Sequence, residues 1–456
     1  MKATIKPIML VALFLTVTMC LCAAPIALQA LGTATPLSAN KAYAATDELA
    51  AGSLDAQATD GTTLDTQAAS NNTADKPTKK ARKTFKAAAA DFSLKLFQQC
   101  VAAKNDSSNV TVSPLSVMNA LAVTANGAAG ETSAQMRDVL AGGMSMKQLN
   151  KTLSWYNSKL SNTKKARLKS ANSIWYHNDG SLKVSKSFLS KNKKFYDAEV
   201  VPADFSNHQT VDDINGWVAD KTNNMIKRVI SDLKPDDRLA IINALYFDAK
   251  WSVPFEKNAV YDAEFTTASG SKKTVEMMHG DEGRYIEGEG VCGFIKPYAK
   301  GYSYVALLPD EGTSLKDFVA SLDGATFSNL VSSATPQNVR IALPKYSLSY
   351  SNEEMAQQLV DMGMTDAFNS GIADFSKMGE SSRGNLFLGE VIHKTKIDVD
   401  EAGTKAAAVT AVIVKDSAAF IDDIKFVSLD RPFVYAIVDN TMNLPVFIGA
   451  VNTIGE

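Results

Sequence analysis

The 456-residue chain has few of the residues that usually build a chemical centre. It carries 4 cysteines, and two of them, Cys20 and Cys22, fall in an apolar N-terminal stretch without the small residues a lipoprotein signal needs. Cys100 and Cys292 are left for the rest of the chain, too few for a disulfide framework. Both lie in apolar-patterned segments, so two buried free thiols are predicted. The 4 histidines, His177, His208, His279 and His393, form no His-x-x-x-His pair, and no Cys-x-x-Cys occurs, so no metal is expected. A Gly-x-Ser-x-Gly elbow is missing; Gly142-Gly143-Met144-Ser145 lacks the closing glycine and reads as a turn. Neither a Gly-Lys-Ser/Thr phosphate loop nor a dinucleotide glycine fingerprint is present. Nothing here recommends an enzyme or a cofactor.

Charge of one sign is also missing. The 47 Lys and Arg nearly balance the 49 Asp and Glu, for a formal net charge of −2. That balance argues against nucleic acid or an anionic membrane as the main partner. A hydrophobic fraction of 45% is ordinary and allows a sizeable core.

Residues 1–44 resemble an export signal. Lys2 and Lys6 precede a mostly apolar run from Pro7 to Leu31, and Ala42-Tyr43-Ala44 gives the small-x-small cleavage pattern ahead of Ala45. The run is long for such a signal, so anchoring by an uncleaved segment stays open as an alternative to a secreted, extracellular protein. Residues 45–85 are rich in Ala, Thr, Asp, Ser and Asn and are expected to be a disordered polar linker. It ends in Lys79, Lys80, Arg82 and Lys83, which read as a solvated helix start or linker end. Residues 86–456 are globular throughout, with no repeat, which indicates one large domain.

Within that domain Phe92, Leu94, Leu96, Phe97 and Val101 recur at helical spacing, Ser116 to Ala125 reads as a buried helix, and Val211 to Leu233 carries a helical face. Strand patterns lie at Ala240–Phe247, Tyr304–Leu308, Val339–Leu343, Lys394–Val399, Phe433–Val438 and Val446–Val451. Helices early and strands late imply an α+β fold.

One segment stands apart. From Glu401 to Val414 the chain runs through Gly403, Thr404, Lys405 and Ala406-Ala407-Ala408 into Val409, Thr410 and a β-branched apolar end, without proline. Its first half is small, and its second half is patterned as a strand buried on both faces. Such a segment suits a loop built to change state.

Val427-Ser428-Leu429-Asp430-Arg431-Pro432-Phe433-Val434-Tyr435-Ala436-Ile437 resembles the signature of the serpin family. Asn109-Val110-Thr111-Val112-Ser113-Pro114-Leu115-Ser116, Ile214-Asn215-Gly216-Trp217-Val218, Asn243-Ala244-Leu245-Tyr246-Phe247 with Lys250-Trp251, Leu343-Pro344-Lys345 and Gly363-Met364-Thr365-Asp366-Ala367-Phe368 agree in order and spacing. The resemblance implies three β-sheets, about nine helices and an exposed reactive-centre loop. It further implies a monomer that inhibits serine, or cysteine, proteases as a suicide substrate. The cleaved loop then inserts as a strand and traps the acyl-enzyme. A non-inhibitory binding or carrier protein is the alternative within the family.

The resemblance also assigns positions. Glu401, Gly403, Thr404, Ala406, Ala407, Ala408 and Thr410 match the hinge that inserts. Thr404, Ala406, Ala408, Thr410, Val412 and Val414 would share one face by strand alternation, the face that the resemblance implies meets the core, and none is charged or bulky. Lys405 falls on the wetter side, where the family commonly has an acidic residue. Ser113, Ser116 and His393 match the shutter under the main sheet. Lys345, Glu401 and Trp251 match the breach at its top. Counting seventeen positions with Glu401 as the first puts the reactive bond at Ser417–Ala418, suited to an elastase-like target. A slipped register would instead use Lys415–Asp416 or Ala418–Ala419.

Overall fold

A computed structural model describes residues 76–234, 236–404 and 424–455. Its first helix, α1 (Lys79–Ala102), starts inside the segment expected to be linker. Two local causes account for this correction. The Thr78 side chain accepts from the Ala81 amide as N-cap, and Phe85 is fully buried, so the first turns gain both a cap and a core anchor. The basic run therefore lies on helix, with the Arg82 guanidinium 5.3 Å from the Trp155 ring.

Helices α2 (Pro114–Ala125), α3 (Gly130–Ala141), α4 (Met146–Lys159) and α5 (Lys186–Tyr196) follow, then α6 (Gln209–Lys221). Later come α7 (Leu315–Ser321), α8 (Gly324–Ser333) and α9 (Met355–Asp361), which makes nine α-helices among the described residues. The strands begin with β1 (Val110–Val112), β2 (Ala166–His177), β3 (Leu182–Val184), β4 (Glu199–Ala203) and β5 (Leu239–Lys250). Next are β6 (Val260–Thr266), β7 (Lys272–Gly288), β8 (Val291–Pro297), β9 (Tyr302–Pro309), β10 (Thr335–Pro344) and β11 (Tyr346–Asn352). Last are β12 (Gly379–Ser381), β13 (His393–Asp400), β14 (Gly403–Thr404), β15 (Lys425–Ser428), β16 (Phe433–Asp439) and β17 (Pro445–Val451).

They form three sheets, as expected for this α+β fold. The largest runs β1-β17-β16-β9-β8-β7-β10-β15, with β6 also on β7. Its strands β9, β16 and β17 are buried at every residue, which explains their unbroken apolar sequences. The main sheet has the order β11-β13-β14-β5-β2-β4, and β3 pairs with β12 apart from both. At the edge of the main sheet β11 alternates buried and exposed residues, as a strand covered on one face should.

The helical face predicted from Val211 to Leu233 is broken. Helix α6 stops at Lys221, where the Thr222 hydroxyl turns back onto the Val218 carbonyl (2.8 Å) and Asn223 and Asn224 adopt left-handed backbones. The chain then returns along the helix. The Asn215 side chain holds this return by accepting from the Val229 and Ile230 amides (2.7 and 3.1 Å) and donating to the Ile230 carbonyl (2.9 Å). Ile230 consequently packs with Val211, Ile214 and Val218 against Trp175 and Ala244 of the main sheet. A helix and a returning segment buried on the same cluster give one continuous periodic pattern in sequence.

Cys100 is buried and Cys292 half-buried, and both are free thiols. Burial pushes the Cys100 thiol up to about 12, so it stays protonated and inert at neutral pH.

Candidate functional site

Two strands of the main sheet are held by the start of one helix, β5 near its middle and β13 at its first residue. Ser113 is the N-cap of α2 and Pro114 its first residue, a local pattern that fixes where this helix begins. The Ser113 amide donates to His393 Nε2 of β13 (3.0 Å), and its hydroxyl donates to the Val446 carbonyl (2.8 Å). One turn on, the Ser116 hydroxyl donates to Asn243 Oδ1 of β5. Asn243 Nδ2 donates in turn to Ser170 Oγ (3.0 Å) and Asn172 Oδ1 (2.9 Å) of β2. A further bond runs from the Thr395 hydroxyl of β13 to the Thr111 carbonyl of β1 (2.6 Å). Burial lowers the His393 imidazole to about 4, so it is neutral and free to accept. Ser113, Ser116 and His393 thus come together. Asn243, which completes the clasp, was missed as a site residue; an Asn inside an apolar strand pattern is the signal that could have found it.

At the top of the sheet the chain leaves β13 through a tight turn. Asp400 Oδ1 accepts from the Ala402 and Gly403 amides (2.8 and 3.0 Å), which reverses the backbone into β14. Trp251 fastens this turn from beneath, its indole Nε1 donating to the Asp400 carbonyl (2.8 Å) and its amide to the Ala402 carbonyl (3.0 Å). The indole is buried and stacks on Tyr298, with centroids 4.4 Å apart. Beside it a buried Lys296 ammonium lies 2.6 Å from Glu282 and 4.2 Å from the Phe255 ring centroid. Lys296, Glu282 and Tyr298 were not predicted, because nothing in their local spacing marks them.

The strand β14 is two residues long and antiparallel to both neighbours. Gly403 stands opposite Asp400 and Lys250, and Thr404 opposite Val399 and Ala249. Gly403 must be glycine here, since a Cβ would lie 2.2 Å from the Ala249 carbonyl oxygen. Thr404 is 2% exposed and points into the core, where its hydroxyl shares a hydrogen bond of 2.5 Å with the Tyr298 phenol. Among the described residues no ladder joins β5 directly to β13; β14 stands between them.

Lys345 and Glu401 meet at 3.2 Å, and Lys345 also reaches Glu276 at 3.2 Å. Its own burial opposes the charged form, but the two carboxylates outweigh it and raise the Lys345 ammonium above its ordinary value. Glu401 is lowered, mainly by a backbone hydrogen bond and then by Lys345. Both side chains keep about a third of their surface exposed (27% and 31%), so the pair contributes little to stability. Ala406, Ala407, Ala408 and Thr410 lie outside the described residues, as do the bond positions Lys415, Ser417, Ala418 and Ala419.

Comparison with known proteins agrees with this geometry. Residues 87–454 match the family model described as Serpin (serine protease inhibitor). Serpin B6 of Macaca fascicularis is 32% identical over 372 residues, which is 76% of this chain and 93% of that protein. Tengpin, a thermophilic serpin, superposes in its native state with a TM-score of 0.76 at 45% identity, covering 81% of this chain and 94% of tengpin. Its latent state gives 0.73 at 43% identity, covering 82% of this chain and 98% of that one. Human thyroxine-binding globulin, solved with its hormone, gives 0.73 at 25% identity over 82% of this chain and all of that one.

Proposed function

The chain belongs to the serpin family, and from that premise we propose that it is a secreted suicide-substrate inhibitor of serine proteases, working extracellularly as a monomer. The observation that carries this reading is β14: a strand already begun between β5 and β13, with Thr404 turned into the core.

The residues that follow Thr404 are suited to continue it. Extending the antiparallel register would bring Thr410 level with His393 and Asn243, and Val414 level with Leu239 at the far end of β5. Thr410 would then replace part of what the α2 clasp now holds. In the reaction the protease serine attacks the Ser417 carbonyl, the Ser417–Ala418 bond breaks, and Ala418 leaves as a free amine. The loop remains esterified to the enzyme through Ser417. Insertion of residues 405–414 then drags the enzyme along the sheet before water can release it.

Energetically the step is large enough. About a dozen ladder hydrogen bonds at ~1 kcal/mol net each, with several small apolar side chains buried, release on the order of 10–20 kcal/mol. A protease domain is stable by only about 5–15 kcal/mol. Small residues at the bond favour an elastase-like target. Near-neutral net charge speaks against nucleic acid or a membrane as partner.

The test is to mix the protein with a panel of elastase-like and trypsin-like proteases and look for a complex that survives boiling in detergent. Cleaved loop with fully active protease throughout would overturn the inhibitory reading. The similarity to thyroxine-binding globulin supports a second reading, a non-inhibitory carrier. In that case cutting the loop would leave thermal stability unchanged.

A further inference from the structure

We propose that Tyr261, His279, Arg340 and Phe426 form a docking face for the body of the target protease, separate from the bond it cuts. This rests on the inhibitory reading above.

The face is a row of side chains across four strands, β15, β10, β7 and β6. Phe426 stands opposite Arg340, whose guanidinium lies 5.8 Å from the phenyl centroid. Arg340 in turn stands opposite Asp281, with Nε 4.0 Å from its carboxylate, and both side chains are exposed. Two residues back along β7, on the same side by alternation, His279 stacks on Tyr261 of β6. Their ring centroids are 4.1 Å apart and the planes 6° from parallel. Phe426 is 69% exposed and Tyr261 54%, and Ile424 is also exposed just before β15. Single exposed apolar residues are ordinary on a protein surface. Here two aromatic rings are braced, one by a guanidinium and one by an imidazole, so they lose little freedom on contact. Aromatic and arginine side chains are also those that carry most of the energy of protein interfaces. An exposed ring on the last strand of a sheet invites unwanted association, so its presence on β15 calls for a partner.

Chain length identifies that partner. The described chain resumes at Ile424, two residues before Phe426, and the bond positions Lys415 to Ala419 precede Ile424 by nine to five residues. An extended chain spans at most ~3.5 Å per residue, so an enzyme holding any of these bonds is tethered within about 30 Å of β15. A domain of ~200 residues has a radius of gyration of roughly 16 Å and is about 40 Å across, wider than the tether is long. The face is thus within reach of the enzyme whichever bond is cut. The matching protease surface is apolar at its centre, to take the two rings, with a carboxylate at its rim for Arg340. Such a contact speeds capture and leaves the later fate of the acyl-enzyme alone, because β6, β7, β10 and β15 belong to the other large sheet.

The experiment measures second-order rate constants for complex formation with pancreatic elastase and with trypsin. It compares wild type, Phe426→Ala, Phe426→Tyr and Tyr261→Ala, and reads the stoichiometry of inhibition and the unfolding midpoint of each. With the enzyme that wild type traps, Phe426→Ala should associate about ten-fold more slowly, as expected for loss of one anchor ring at an interface. Tyr261→Ala should do the same, and Phe426→Tyr should keep the wild-type rate. Stoichiometry and midpoint should not move, since both rings are exposed and lie outside the main sheet. Wild-type rates in both alanine variants would overturn the docking face, as would a slower rate that Phe426→Tyr shares or that a fall in midpoint accompanies. A wild type that sediments as a dimer, dissolved by Phe426→Ala with the protease rate unchanged, would give the face to a second copy instead. A wild type that traps no enzyme of the panel would overturn the inhibitory reading itself.

Discussion

Replacing Thr404 by arginine is the sharpest test of the trap. Thr404 is 2% exposed and faces Tyr298, in a small cavity lined by Phe247, Ile397, Ile437 and Phe447 together with Met225, Lys396 and Asp398. An arginine there would force a guanidinium into a buried space too small for it, at several kcal/mol after relaxation. It would also remove the bond to Tyr298, worth about 1 kcal/mol. A combined penalty of ~4–6 kcal/mol slows or disfavours the first step of insertion by roughly 10³–10⁴-fold. Deacylation then wins, and the protease leaves active. The intact fold should survive, because expelling β14 removes a strand of two residues. The assay titrates a protease that the wild type traps against Thr404→Arg and Thr404→Ser, scoring detergent-stable complex and cleaved loop on the same gel. Thr404→Arg should be cut at the usual bond and form no complex, whereas Thr404→Ser should behave as wild type. Trapping by Thr404→Arg at wild-type stoichiometry would falsify the mechanism.

Three further outcomes follow from the same geometry. The buried His393 imidazole titrates at about 4 instead of 6.5, so the unfolded chain binds its proton first as pH falls. The stability that His393 contributes is full above pH ~6.5 and lost between there and pH ~4, a change of about 3 kcal/mol. Denaturant melts at several pH values should show a shallower decline over that window in His393→Gln than in wild type. Gly403→Ala, with a Cβ 2.2 Å from the Ala249 carbonyl, should displace β14, cost about 1–3 kcal/mol in the intact protein and raise the stoichiometry of inhibition; equal values for both proteins would contradict the packing. Lys345→Ala should shift stability by less than ~1 kcal/mol, and less still in high salt, because its carboxylate partners are exposed. A larger loss would assign this charge pair a structural weight the geometry does not give it.

Much of this was legible along the chain, because the cues are local. The Ser113–Pro114 start of α2 and the β-branched runs that became β9, β16 and β17 each depend on neighbours a few positions away. Alternation put Thr404 on one face of the segment, and the family resemblance implied that this face meets the core. Where the local pattern had two solutions it misled: the periodic face beyond Lys221 is a returning segment held by Asn215, and the polar residues before Lys86 fold into α1 once Phe85 finds the core. The quoted residue blocks carried the resemblance to the family, and helical patterns followed by strand patterns indicated the α+β class. Tertiary structure alone decided which distant residues share a site, as Asn243 does with Ser116 and Lys296 with Trp251. Those partners lie on different elements, and the packing of elements, which no single segment encodes, is what sets them side by side.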